Sequence, residues 1–189
     1  MAYEKSSILE FYNQAQIHEF ARKFMFKVNQ IGPLTDTSDL IYITTATLPG
    51  RTVVNKQVKF MGLNFNIPGT VVYDGSDSWQ VTFRCDEAHN IRRKILAWQD
   101  EIFSIQRSGM LFGTPRNQVA EFQLMTKSRA QKYSSYTFYG IYPTKVGEIE
   151  YDITDDGEVQ TFQVTFAYQF WVDDAAAVPY NSDNDVSMQ

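Results

Sequence analysis

Asp86-Glu87-Ala88-His89 spells the acidic motif of nucleotide-hydrolysing helicases, and it follows an apolar run as that motif does. The chemistry also requires an upstream glycine-rich phosphate cradle closed by lysine and a hydroxyl residue. None of the 10 glycines is followed by lysine. Acidic residues that open a helix complement the positive end of its dipole, which is the simpler account. Cys85 and His89 have the spacing of a thiol and its base. Cys85, however, continues the inward set Trp79, Val81, Phe83, where a cysteine acts as a small hydrophobe. His18 reads as a surface or packing residue. Asp155-Asp156-Gly157-Glu158 lacks the alternating oxygens of a calcium loop and reads as a hairpin turn. One cysteine excludes an intramolecular disulfide framework and a cysteine zinc site, and two histidines leave little for a histidine-rich one. No catalytic, cofactor-binding or metal-ligating residue is expected.

One polar pattern is ordered. Glu148, Glu150 and Asp152 alternate with Ile149, Tyr151 and Ile153, which predicts three carboxylates on one strand face. Like charges in a row repel, and no neighbouring cations match them, so such a face needs water beside it. A solvated sheet face is the bland reading; a wall that repels phosphate is the sharper one.

The elements that would position these residues are mostly strands. With 14 Phe and 11 Tyr, the palette is strand-rich. A length of 189 residues gives one well-buried domain. Apolar runs of a few residues predict no membrane-spanning helix. The start of the chain lacks the pattern of a secretory signal, so a reducing cytoplasm is expected. Residues 1–144 carry a net +4 and residues 145–189 a net −9. No basic stripe suits nucleic-acid binding. A helical extension is expected within residues 1–19, with Ser7 and Glu10 as a capping box. Strands are expected at 22–31, 40–45, 79–85, 119–126 and 134–142. A helix is expected from Asp86 to Arg107, its apolar stripe made by Ala88, Ile91, Ile95, Trp98 and Ile102. A closing hairpin, 148–153 with 158–172, has an unusually long second arm. The expectation is one all-β domain, 1–172, with a packed flanking helix, then an acidic tail, 173–189, with little structure of its own.

Several stretches in order along residues 20–172 resemble the tail tube proteins of contractile-tailed bacteriophages. They are Phe20-Ala21-Arg22, Ala46-Thr47-Leu48-Pro49 and Trp79-Gln80-Val81-Thr82-Phe83. Asp86-Glu87-Ala88-His89 follows, with Arg92 and Trp98-Gln99. Tyr142-Pro143-Thr144-Lys145-Val146-Gly147-Glu148, Gln160-Thr161-Phe162-Gln163-Val164-Thr165 and Phe170-Trp171 complete the set.

The resemblance implies a structural, non-enzymatic subunit without cofactors. It implies a β-barrel or sandwich that forms homo-hexameric rings, each copy lending four strands to a continuous barrel of about 24 strands. Strand spacing and tilt then give a backbone radius of roughly 24 Å, wide enough for duplex DNA. Glu148, Glu150 and Asp152 are the expected lumen lining, with Thr161, Gln163 and Thr165 beside them. The long segment Leu48–Ile67 takes the place of the family's ring-stacking loop, with Leu48, Pro49, Gly50, Arg51, Val53, Val54, Lys56 and Lys59 as expected inter-ring contacts. Implied partners are the sheath protein outside, the tape-measure protein and then genomic DNA inside, and the baseplate and tail-terminator proteins at the ends. The implied location is the virion tail, assembled in the host cytoplasm. Two alternatives share the architecture: a baseplate tube initiator, or the tube of a bacterial contractile injection system. A monomeric β-barrel enzyme or ligand binder would instead show a pocket with convergent polar groups.

Overall fold

The computed structural model describes residues 8–17, 20–104, 109–110, 118–126, 128–154 and 157–174. In chain order the elements are α1 (Ile8–Ile17), β1 (Phe26–Ile31), α2 (Thr37–Leu40), β2 (Ile43–Ala46), β3 (Arg51–Phe60), β4 (Leu63–Tyr73) and β5 (Trp79–Arg84). They continue with α3 (Asn90–Ile102), β6 (Phe103–Ser104), β7 (Gly109–Met110), β8 (Val119–Met125), β9 (Lys132–Tyr139), β10 (Tyr142–Val146), β11 (Thr161–Ala167) and β12 (Phe170–Asp173).

Alternation builds the core. In β5, Trp79, Val81 and Phe83 are buried while Gln80 and Arg84 are exposed. In β11, Phe162, Val164 and Phe166 are buried while Thr161 and Gln163 are exposed. The two strands pair antiparallel with these residues in register, Phe162 opposite Phe83 and Phe166 opposite Trp79. With β10 and β2 at its edges they form one four-stranded sheet, order β10-β11-β5-β2. The second sheet, order β1-β8-β9-β12, contributes Val28, Ile31, Ala120, Phe122 and Phe138 to the same core. Trp79 stacks on Phe138 at 4.8 Å and joins the two sheets. The helix α3 adds Ile91, Ile95 and Trp98 to the core from one stripe.

The expected helix is shorter at its start. Asp86 lies outside it and its carboxylate accepts the Asn90 amide at 3.0 Å, with His89 in the left-handed region at φ 52°. The helicase-like motif is therefore a helix entrance, and Ala88 is exposed outside the stripe. Strand one starts at Phe26, and Phe24 stays largely exposed. Residues 40–42 are a helical turn and bend before β2.

The closing hairpin also differs. Residues 148–153 form no strand, and β10 is the partner of β11. The long second arm splits into β11 and β12, which belong to different sheets. Ala167 and Tyr168 are both buried, so the inward alternation breaks where the chain crosses over, and Phe170 is left half-exposed against Tyr139. Residues 4–7, His18, 105–107, 111–115, Asp155-Asp156 and 175–189, on which further expectations fell, lie outside the described residues.

Candidate assembly surfaces

Among the described residues, β3 and β4 form a ribbon that pairs only with itself, and nearly every residue on it is exposed. The turn Met61-Gly62 has φ of 50° and 82°, the left-handed pair that a two-residue hairpin requires and that glycine adopts without strain. Register then sorts the side chains. Val58 opposes Phe65 and Phe60 opposes Leu63, so the outer half of one face is apolar, with Lys56 opposite Ile67 at its inner border. Lys59 with Asn64 and Gln57 with Asn66 make the opposite face polar. Residues 51–73 carry three cations and no carboxylate. A two-stranded ribbon in water is marginal by itself, and an exposed apolar strand pair is an association surface.

The root of this arm is fixed. The Trp79 indole N–H donates to the Thr47 carbonyl at 2.7 Å, and the Tyr168 hydroxyl donates to the Asp74 carbonyl at 2.9 Å. Trp171 packs edge-on against Tyr73, and the Arg51 guanidinium lies over its ring at 5.7 Å. Of the expected stacking residues, Leu48, Pro49, Gly50 and Arg51 therefore belong to the root. Val53, Val54, Lys56 and Lys59 lie on the arm itself. The outer half of the apolar face, Phe60 to Phe65, lies within the expected segment Leu48–Ile67 but beyond the residues named for contact. Its signal is an acid-free run of apolar residues two apart on either side of Met61-Gly62.

Burial, then the nearby Asp74 and Asp77 carboxylates, push the Tyr168 phenol up to about 12. A folded-state value above the unfolded one of about 10 gives stability that is complete below pH 10 and is lost as pH rises toward 12. The expected result of an alkaline titration followed by tyrosinate absorbance is a last-titrating group that vanishes in Tyr168→Phe. An identical titration curve for that variant would contradict the assignment.

The outer face of the β10-β11-β5-β2 sheet is the second surface. Thr161, Gln163 and Thr165 point outward from β11 and lie opposite Arg84, Thr82 and Gln80. The Gln163 amide donates to the Gln80 side-chain oxygen at 3.1 Å. Lys145 opposes Thr165 and Thr45 opposes Thr82, both on this face. Hydroxyls and amides dominate it, Arg84 and Lys145 are its cations, and no strand residue of the sheet is a carboxylate. Both edge strands, β10 and β2, keep one side unpaired among the described residues.

Glu148, Glu150 and Asp152 stand apart from that face. The Gly147 amide still donates to the Gln163 carbonyl at 2.7 Å, after which the ladder stops. Asp152 accepts the Thr154 hydroxyl at 2.7 Å and its amide at 2.8 Å, an Asx turn that replaces strand pairing. Those bonds hold its carboxyl below the usual range. All three carboxylates are exposed, while Ile149 packs on the core and Tyr151 meets His89 at 3.3 Å. The expected strand of three carboxylates is thus an extended connection beside α3.

Nothing among the described residues forms a catalytic constellation. Cys85 is half-buried, and burial, then Asp86, raise its thiol. No group of three or more metal-ligating side chains occurs among the described residues. No helix among them is long and apolar enough to cross a membrane.

Residues 19–174 match the phage tail tube protein family. The chain is 33% identical over 159 residues to the tail tube protein gp19 of Enterobacteria phage T4, covering 81% of this chain and 91% of that one. It matches the tail tube protein gp19 of Enterobacteria phage T6 with the same identity and coverage. The fold is shared with the extended-state sheath/tube terminator structure of an extracellular contractile injection system, at TM-score 0.58 and 12% identity over 83% of this chain and 98% of that one. It is also shared with a chain of the anti-feeding prophage baseplate structure, at TM-score 0.59 and 13% identity over 82% and 96%. The family match over residues 19–174 and the identity to the two tail tube proteins show it: the chain belongs to the phage tail tube protein family and is a structural subunit, not an enzyme.

Proposed function

We propose that copies of this chain close into rings through β2 and β10, and that the rings stack through the β3–β4 arm into the inner tube of a contractile phage tail. The observation that carries this reading is the arm, a ribbon with an apolar face, a fixed root and no strand partner among the described residues. Strand direction supports ring closure. Each neighbour in the β10-β11-β5-β2 sheet is antiparallel to the next, so β10 of one copy meets β2 of the following copy antiparallel as well. Such a head-to-tail contact generates a ring when the rotation closes. Six copies of a four-stranded sheet make a barrel of about 24 strands, of radius roughly 24 Å.

The lumen is then lined by Thr161, Gln163 and Thr165 with Gln80 and Thr82. This lining is polar and hydrated, mostly hydroxyls and amides, and its two cations per copy, Arg84 and Lys145, are too sparse to make a continuous cationic track for a phosphate backbone. Glu148, Glu150 and Asp152 drop out of the lining because they leave the sheet at Gly147. In the tail, the tube sits inside the sheath and between baseplate and terminator. It encloses first a tape-measure protein and then genomic DNA during ejection. The test is negative-stain electron microscopy of the purified chain over a concentration series, with sedimentation alongside. Hollow tubes of uniform diameter are the expected outcome. A monomer at every concentration, with or without preformed baseplate, would overturn the reading.

A further inference from the structure

Between the open edges β1 and β2, the edge strands of the two sheets, lies a groove of about 920 Å³. Its floor is apolar, with Phe24, Phe26, Leu40, Ile41 and Ile43. Its charged side chains are Lys23, Lys27, Arg84 and Arg129, without one carboxylate in the lining. The nearest acids on α2 and its entry are engaged, Asp39 with Lys94 at 2.5 Å and Asp36 with the same ammonium at 3.9 Å. At the opposite edge of the same sheet, β10 runs into Gly147–Ile153, where Glu148, Glu150 and Asp152 alternate with Ile149, Tyr151 and Ile153. That segment is acid and apolar where the groove is basic and apolar.

We infer that the acidic segment 147–153 of one copy seats in the groove between β1 and β2 of the next copy, its carboxylates on Lys23, Lys27 and Arg129. The inference rests on the ring reading and deepens it. Direction fixes the match. If β10 lies antiparallel to a neighbour's β2, the chain leaving β10 at Val146 travels alongside the residues that precede Ile43. Those residues are 37–42, and Thr37, Leu40 and Ile41 line the groove. Seven residues at ~3.3 Å each reach about 23 Å, enough to run past them. Ile149 holds the segment to its own core, so the carboxylates on either side of it turn outward. Ile153 is exposed and can meet Ile41, itself exposed, while Tyr151 stays on His89 of its own chain. Glu148, Glu150 and Asp152, exposed in the isolated chain, thereby face the cations of the next copy, and rings of one kind are favoured over unordered edge pairing.

The test uses the full chain with its lone cysteine replaced (Cys85→Ser), carrying Ile41→Cys and Ile153→Cys, treated after assembly with a short bis-maleimide. A ladder of covalent oligomers up to a closed ring is expected, and neither single-cysteine variant gives it. A second arm combines Glu148→Lys, Glu150→Lys and Asp152→Lys. This variant is expected to raise the concentration needed for assembly at least tenfold. Adding Lys23→Glu, Lys27→Glu and Arg129→Glu is expected to restore most of that loss. Tubes that form without cross-links, or a lysine variant that assembles like the parent, overturn the inference and leave the tube reading standing. A parent chain that never forms tubes overturns the tube reading itself, and this inference with it.

Discussion

Val58→Ser, Phe60→Ser, Leu63→Ser and Phe65→Ser combined are expected to leave a normally folded protomer that forms no tubes at parental concentrations. These four side chains are between 47% and 63% exposed in the isolated chain. Removing them therefore costs the monomer little, and a melting temperature within a few degrees of the parent is expected. In a stacked tube they are the apolar face that a neighbouring ring covers. Complete burial is worth about 1.5–3 kcal/mol for each such side chain. Half of that surface is already lost in the folded monomer, so on the order of 4–5 kcal/mol per arm is at stake. Every 1.4 kcal/mol is tenfold in an association constant, so the assembly threshold moves by about a thousandfold. Sedimentation with negative-stain imaging reads it directly. Tubes at the parental threshold would remove the arm from ring stacking. A protomer that melts far below the parent would show that the arm supports its own fold instead.

Trp79→Ala is expected to be the most destabilising single change in the described core. The indole is 1% exposed, stacks on Phe138 at 4.8 Å and meets Phe166 at 5.7 Å. Aromatic-to-alanine changes at such sites cost about 3–5 kcal/mol, and the lost hydrogen bond to Thr47 adds about 1 kcal/mol. Against a total of about 5–15 kcal/mol, that fraction unfolds a marginal domain near physiological temperature. Urea denaturation is expected to show a lower midpoint with an unchanged slope. Trp79→Phe separates the terms, since it keeps most of the packing and loses only the bond to Thr47, for about 1–2 kcal/mol. A phenylalanine variant as unstable as the alanine one would put the weight on that hydrogen bond rather than on packing.

The two variants act at opposite ends of one device. Trp79, Tyr168 and Trp171 fix the root of the arm through Thr47, Asp74 and Tyr73. The free end then presents its apolar face at a set angle. An arm of the same sequence on a loose root would pay an orientational entropy on every docking event.

Much of this was legible beforehand because it depends on local periodicity. The alternation in Trp79–Arg84 and Thr161–Ala167 named the inward residues of both central strands correctly. The stripe Ile91, Ile95, Trp98 named the buried face of α3. Pairing partners and element ends were less legible. Residues 148–153 alternate as well as any strand here, yet the ladder stops at Gly147 and Asp152 turns to cap Thr154. Phe170 continues the alternation of Phe162 to Tyr168 and still ends half-exposed, because the chain changes sheets at Tyr168 and Gln169. Periodicity is a property of neighbours in the chain, and which strand lies alongside is a property of the whole fold.

By itself, then, the sequence determined the strand-rich class, the inward set of each central strand, the helix beside them and the family. Those follow from residue type, spacing and motif order. Tertiary structure decided that the outer face of the β10-β11-β5-β2 sheet carries hydroxyls and amides while the carboxylates stand beside α3. It also set a basic groove, drawn from β1, β2, β5 and Arg129, at the opposite edge of that sheet from the acidic segment. The physical reason is distance along the chain: Lys23 and Arg129 lie far apart in sequence, and only the closing of β1 against β8 brings their cations to one rim.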